Sequence, residues 1–216
     1  MNAESRIGDL AEEIVSRLAV SDSSLSIPVG ISNRHIHLSQ RDLETLFGHG
    51  YALTPQKELS QPGQYAAKET VCIAGQKGSF SKVRVLGPIR AESQVEISRT
   101  DAYQLGIDPP VRQSGDLSGA ESVSAIGPCG MVILQNKVII ARRHIHMSVL
   151  DGKLYGVDDG DLVDVRNTGS QRCMFYDVVI RIHADFSLEF HVDTDEANAG
   201  GIKTGTMAQI IGKHKG

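Results

Sequence analysis

A six-residue phrase is written twice in this chain, and it limits the fold more than any other feature. Arg34-His35-Ile36-His37-Leu38-Ser39 returns as Arg143-His144-Ile145-His146-Met147-Ser148, each copy following an apolar run. A solenoid needs about three or more stacked units, so two distant copies point to two equivalent halves or two barrels. With 216 residues and 40% hydrophobic content, the chain can bury two small cores as readily as one large one. Short β-branched runs between glycines predict strands at Ile27–Ile31, Thr70–Ala74, Lys82–Leu86, Gln94–Ser98 and Met131–Ile140. Further runs follow at Leu162–Val165, Met174–Ile182 and Ser187–Val192. Helices are predicted at Gln40–Phe47, with Ser39 as N-cap, at Arg99–Leu105, and at Thr194–Ala199, where Asp195 and Glu196 fall in the first turn. The expected fold is mainly β, with the Ser/Gly-rich stretch Gln113–Ser124 as a flexible loop between the halves.

Charge and cysteine content exclude several functions. Twenty-two Lys+Arg against 26 Asp+Glu leave a net charge of -4, which suits neither a nucleic-acid nor a membrane-surface partner. Cys72, Cys129 and Cys173 are too few and too scattered for a disulfide framework or a C-x-x-C site, so a reducing cytoplasm fits, with Cys72 and Cys129 as buried thiols. No apolar run approaches the roughly 20 residues that span a bilayer, and the N-terminus is too polar for a secretory signal. Instead, Ile7, Leu10, Ala11, Ile14, Val15 and Leu18 carry helical spacing over Ser5–Val20, ended by Ser21-Asp22-Ser23-Ser24.

The chemistry lies in eight histidines. Alternate side chains of a strand share a face, so His35 and His37 reach one ion together, as do His144 and His146. A catalytic zinc takes three protein ligands and keeps one position open, so each pair lacks one. His191, on the polar face of an alternating strand, and Glu96, in a strand-like run, are the candidates; Glu96 reads equally as a surface carboxylate. His49, His183 and His214 lack such a context and are expected in solvent. Asp193 and Asp195 do not open a calcium loop, because Asn198 and Thr204 replace its glycine and last glutamate. Arg34, Arg84, Arg90, Arg99, Arg143 and Lys57 read either as surface ion pairs or as a guanidinium cluster that suits phosphate. No glycine-rich nucleotide cradle is present.

Five blocks in order complete the picture: Val29–Ser39, Gln61–Ala67, Ser93–Ala102, Arg143–Ser148 and His191–Ala199. Together they resemble the PduL-type phosphotransacylases, or phosphate propanoyltransferases, from about Ile27 to the C-terminus. That resemblance implies exchange of orthophosphate and coenzyme A on a short acyl group: propionyl-CoA or acetyl-CoA plus phosphate gives acyl phosphate plus CoA, by zinc-assisted direct attack. It implies two zinc ions per chain, the first on His35, His37 and Glu96, the second on His144, His146 and His191. Arg90 would bind phosphate, and Ser114 would hold the oxyanion or phosphate. CoA contacts would fall on Ile31, Ser32, Asn33, Lys57, Arg84, Leu86 and Asn198. The implied fold is two small β-barrels with short helices and the active site at their interface. Residues 24–33 with 142–216 would form one discontinuous barrel, and 34–141 the other, with an inserted lid around 48–68.

Residues 1–22 have two readings: a segment that directs microcompartment-associated members of that family to shell or core proteins, or a helix resting on its own barrel. The location is accordingly the cytoplasm, with the interior of a bacterial microcompartment as its refinement; a homo-oligomer is left open. Rival functions are a metal-dependent acyl-CoA hydrolase and a non-catalytic metal-binding barrel. A metallo-β-lactamase-like H-x-H-x-D-H is absent, since Ser39-Gln40 occupies its last positions, and the chain is short for a large hydrolase barrel.

Overall fold

The computed structural model describes residues 25–169 and 171–214; the amphipathic segment before Ser24 and its two readings lie outside them. In chain order the first strands are β1 (Ile27–Ser32), β2 (His35–Ser39), β3 (Pro55–Glu58), β4 (Tyr65–Ala74), β5 (Ser79–Arg90), β6 (Gln94–Glu96) and β7 (Val111–Arg112). They are followed by β8 (Glu121–Ile126), β9 (Met131–Ala141), β10 (His144–Met147), β11 (Leu162–Asn167), β12 (Met174–Ile182), β13 (Glu189–Asp193) and β14 (Met207–His214). Four short helices, α1 (Gln40–Phe47), α2 (Arg99–Leu105), α3 (Val149–Tyr155) and α4 (Thr194–Ala199), complete the described residues.

The strands close into two six-membered barrels. One runs β1-β13-β10-β12-β11-β14. The other runs β4-β5-β2-β6-β9-β8 and closes because β8 pairs both β9 and β4; β3 and β7 are added outside this ring. Each H-x-H strand has the same neighbours. A parallel strand flanks it on one side, β5 beside β2 and β12 beside β10, and an antiparallel strand on the other, β6 and β13. The strand just before each motif belongs to the opposite ring: β1 precedes β2 but joins the β10 barrel, and β9 precedes β10 but joins the β2 barrel. The described residues divide into two compact units, one of Ile31–Arg143 with Val192–Ala199, the other of those from Leu25 to Gly30, between His144 and His191, and from Gly200 to His214. Gln113–Ser124 therefore does not link the halves. It lies within the first of these units, and its end is β8, which two neighbouring strands hold in the ring.

Period-two alternation builds each core. Ile36 pairs with Val85 and Val95, all fully buried, while Ile145 pairs with Ile180 and Phe190, also fully buried. Each such side chain contributes about 1.5–3 kcal/mol by leaving water. The histidines on either side of Ile36 and Ile145 consequently face away from their own barrel's core. The serine that ends each motif starts a helix: Ser39 accepts from Asp42 N, and Ser148 accepts from Asp151 N in a capping box. Such caps are worth about 1 kcal/mol each. The α3 helix was not anticipated, because glycine at 152 weakens its helical signal, although Ser148 offered the same start as Ser39. Cys129 is exposed rather than buried, since it sits in the turn between β8 and β9; Cys72 is half-buried. No described helix is long and apolar enough to cross a membrane.

Candidate metal centres and substrate residues

Register converts each histidine pair into a triad. On antiparallel strands His35 stands opposite Glu96, and His144 stands opposite His191. One ligating atom from each member of His35, His37 and Glu96 lies within 4.8 Å of the others, and the same holds for His144, His146 and His191. Five of the six are buried and His191 is half-buried. His35 Nδ1 lies 2.8 Å from Asn33 O, so it donates there and leaves its lone pair on Nε2, which is 3.5 Å from Glu96 Oε2. The Nδ1 atoms of His37 and His146 are buried with no hydrogen-bond partner. An imidazole nitrogen stripped of water and given no partner costs stability unless something binds it. Two neutral imidazoles with a carboxylate, and three imidazoles, are donor sets that suit zinc, and also cobalt or nickel.

Burial and nearby charge keep His37, His146 and Glu96 in their binding forms. Burial, then the nearby charges of His35 and Arg90, lowers His37 to about 3; burial, then His144, His191 and Arg181, lowers His146 to about 2. Burial pushes the Glu96 carboxyl up, but His35, His37, a hydrogen bond from Ser114 and Arg90 outweigh it and hold Glu96 at about 2. In the metal-free protein the two depressed histidines bind fewer protons than in the unfolded chain, where they titrate near 6.5. Stability is therefore intact above that pH and falls as pH drops toward 3, by about 2 kcal/mol per histidine at pH 5. Urea unfolding of metal-free protein between about pH 7.5 and 5 should show this slope, and a His37→Gln/His146→Gln double variant should flatten it.

Three of the residues expected at CoA, Lys57, Arg84 and Leu86, lie in rows that lead to the first triad. Lys57 pairs with Ala66, Ala66 with Leu86, and Leu86 with His37; in the adjacent row Thr70 pairs with Arg84, Arg84 with His35, and His35 with Glu96. Paired residues share a face, so Lys57 and Leu86 project on the side of His37. The Arg84 guanidinium donates to the carbonyls of Ala67 and Lys68, 2.8 and 3.1 Å away. Ile31, Ser32 and Asn33 run directly into His35, and Ser32 Oγ is 3.4 Å from its Nδ1. Asn198 is exposed on α4, the helix whose Asp195 accepts from Thr100 N at 2.8 Å.

The arginines separate cleanly. Arg34 binds Asp101 through Nε and Nη2 at 3.0 and 2.7 Å, Arg143 binds Glu196 at 3.0 Å, and Arg99 pairs with Asp108. These are structural pairs. Arg90 instead bears on the first triad, lowering His37 and Glu96, and donates to Ser114 Oγ at 3.2 Å. Ser114 also accepts from Gln94 Nε2 at 2.9 Å and is hydrogen-bonded to Glu96. Its hydroxyl thus serves the carboxylate. The sequence reading missed Gln94 and Arg181, although alternation puts Gln94 on the face of Glu96. Arg181 pairs in register with His146, its guanidinium 5.8 Å from the Phe186 ring, which packs on His146.

Fold and site first define a class: a two-barrel protein with one buried, metal-competent triad in each unit. Comparison with known proteins narrows it. The family model of phosphate propanoyltransferase matches residues 28–203. The chain is similar to a phosphate propanoyltransferase of Thermotoga maritima, 61% identical over 86% of this chain and 89% of that protein. It is similar also to those of Shewanella putrefaciens, at 48% over 94% and 97%, and Clostridioides difficile, at 46% over 97% and 99%. The chain belongs to the phosphate propanoyltransferase family.

Proposed function

We propose that this protein interconverts a short-chain acyl-CoA and orthophosphate with acyl phosphate and CoA, propionyl-CoA and acetyl-CoA being the substrates to test. The observation that carries this reading is the pair of buried triads with unpartnered imidazole nitrogens in a chain of this family, one of them adjoined by Arg90. His35, His37 and Glu96 would hold one zinc and His144, His146 and His191 the other. Bound there, zinc supplies Lewis-acid stabilisation for the departing thiolate and for the charge on phosphate.

The chain's own residues do the rest. Lys57, Arg84 and Leu86 bind CoA along the strand rows, with Ile31–Asn33 just before His35 and Asn198 on α4. Arg90 neutralises and orients phosphate by a planar fork that matches its oxygens. A phosphate oxygen bonds to the thioester carbonyl carbon, the C–S bond breaks, and the phosphate proton passes to the CoA sulfur. Direct attack needs no protein nucleophile, and no Ser-His-acid or Cys-His arrangement is evident in the sequence. Ser114, hydrogen-bonded to Arg90, Gln94 and Glu96, positions Glu96 and stands beside Arg90 to hold the oxyanion or phosphate.

Purified protein should release CoA from propionyl-CoA or acetyl-CoA only with phosphate present, and hydroxylamine should trap acyl phosphate. Phosphate-independent thioester loss would instead indicate a hydrolase, and stoichiometric metal without turnover a binding barrel. We assign residues 1–22 to docking on microcompartment shell proteins, on the strength of their amphipathic spacing. Deletion of residues before Ile27 should spare turnover and abolish co-sedimentation with shells; co-sedimentation that persists would mean the segment does not target.

A further inference from the structure

The third ligand of each triad has a polar neighbour two residues earlier on the same strand face, and the two neighbours are chemically matched to what they touch. In one unit Gln94 donates its amide N–H to Glu96 Oε1 at 2.5 Å, while Gln94 Oε1 accepts from Gly115 N at 2.8 Å. In the other unit Glu189 hydrogen-bonds His191 Nε2 through Oε2. The register is the same in both: Gln94 stands opposite His37, and Glu189 opposite His146. A carboxylate ligand has an amide donor, and an imidazole ligand has a carboxylate acceptor.

Room for that carboxylate is reserved by Gly30. A Cβ at this position would lie 2.6, 2.7 and 2.9 Å from Cδ, Oε1 and Oε2 of Glu189. Any side chain at 30 would displace the Glu189 head group, the atoms that hold His191. The backbone of β1 and the acid on β13 therefore fit one another around the second triad.

We propose that Glu189 is a positioning residue for the second metal centre: it fixes the His191 ring and holds its proton on Nε2 so that the lone pair lies on Nδ1, with Gly30 giving it space. Loss of such an outer partner typically weakens metal binding by about 10–100-fold. This rests on the two-metal reading given above.

Full-length metal-free wild type, Glu189→Gln and Gly30→Ala are titrated with zinc against a chromophoric chelator, and with cobalt to follow its d–d spectrum. Wild type should take up two equivalents. Glu189→Gln should keep one at wild-type affinity and bind the other about 10–100-fold more weakly, with a changed cobalt spectrum for that site. Gly30→Ala, which retains the acid but moves it, should do the same, and it serves if Glu189→Gln does not fold. Wild-type affinity and spectrum at both sites in the folded variants overturn the inference alone. A wild-type chain that takes up no second equivalent overturns it together with the two-metal reading.

Discussion

His37→Ala should lower phosphate-dependent acyl transfer by at least about 10³-fold, equivalent to the several kcal/mol that a Lewis acid supplies, and the variant should hold one metal equivalent fewer. The size of the effect follows from burial. His37 is 3% exposed with its Nδ1 unpartnered, so alanine removes a ligand that no surface residue can replace. Apolar packing changes little, because Ile36 and Leu38 on either side remain fully buried in the core. The metal-free variant should therefore unfold no more readily than metal-free wild type, and at pH 5 should be more stable, since a neutral buried histidine has been removed. Full activity with two equivalents retained would remove His37 from the site.

Arg90→Ala should cost about 10²–10³-fold in the catalytic efficiency with phosphate, the range seen when one charge-stabilising donor is removed, and should leave the KM for acyl-CoA close to wild type. Among the sequence-predicted arginines it differs from Arg34, Arg99 and Arg143, whose guanidinium groups hold Asp101, Asp108 and Glu196. Because Arg90 also donates to Ser114, which serves Glu96, Arg90→Lys and a zinc measurement separate two effects. Lysine keeps the charge without the fork, so partial recovery with zinc retained indicates phosphate binding. Equal losses toward phosphate and CoA would show that the arginine only supports the metal group.

Much of this architecture is legible in the residues because its signals are local. The H-x-H phrase marks two imidazoles on one strand face, Ser39 marks a helix start, and Leu188, Phe190 and Val192 alternate against Glu189 and His191. Signals failed where tertiary pairing overrides composition. Gln113–Ser124 reads as a link, yet its last residues become β8 because β4 and β9 satisfy their backbone from both sides. Cys129 reads as a core thiol, yet the chain turns there at the surface.

By itself the sequence determined which side chains can bind a metal, that each histidine pair shares one face, and that the unit occurs twice, since a two-residue period and a repeated phrase need no distant information. Only the tertiary structure decided that Glu96 meets His35 and His191 meets His144, that Gln94 and Glu189 support them, and that Gly30 makes room for an acid far along the chain. Cross-strand register is the physical reason: a slip of one residue would turn every one of these groups into the apolar core, and the register is fixed by the packing of both barrels rather than by any single segment.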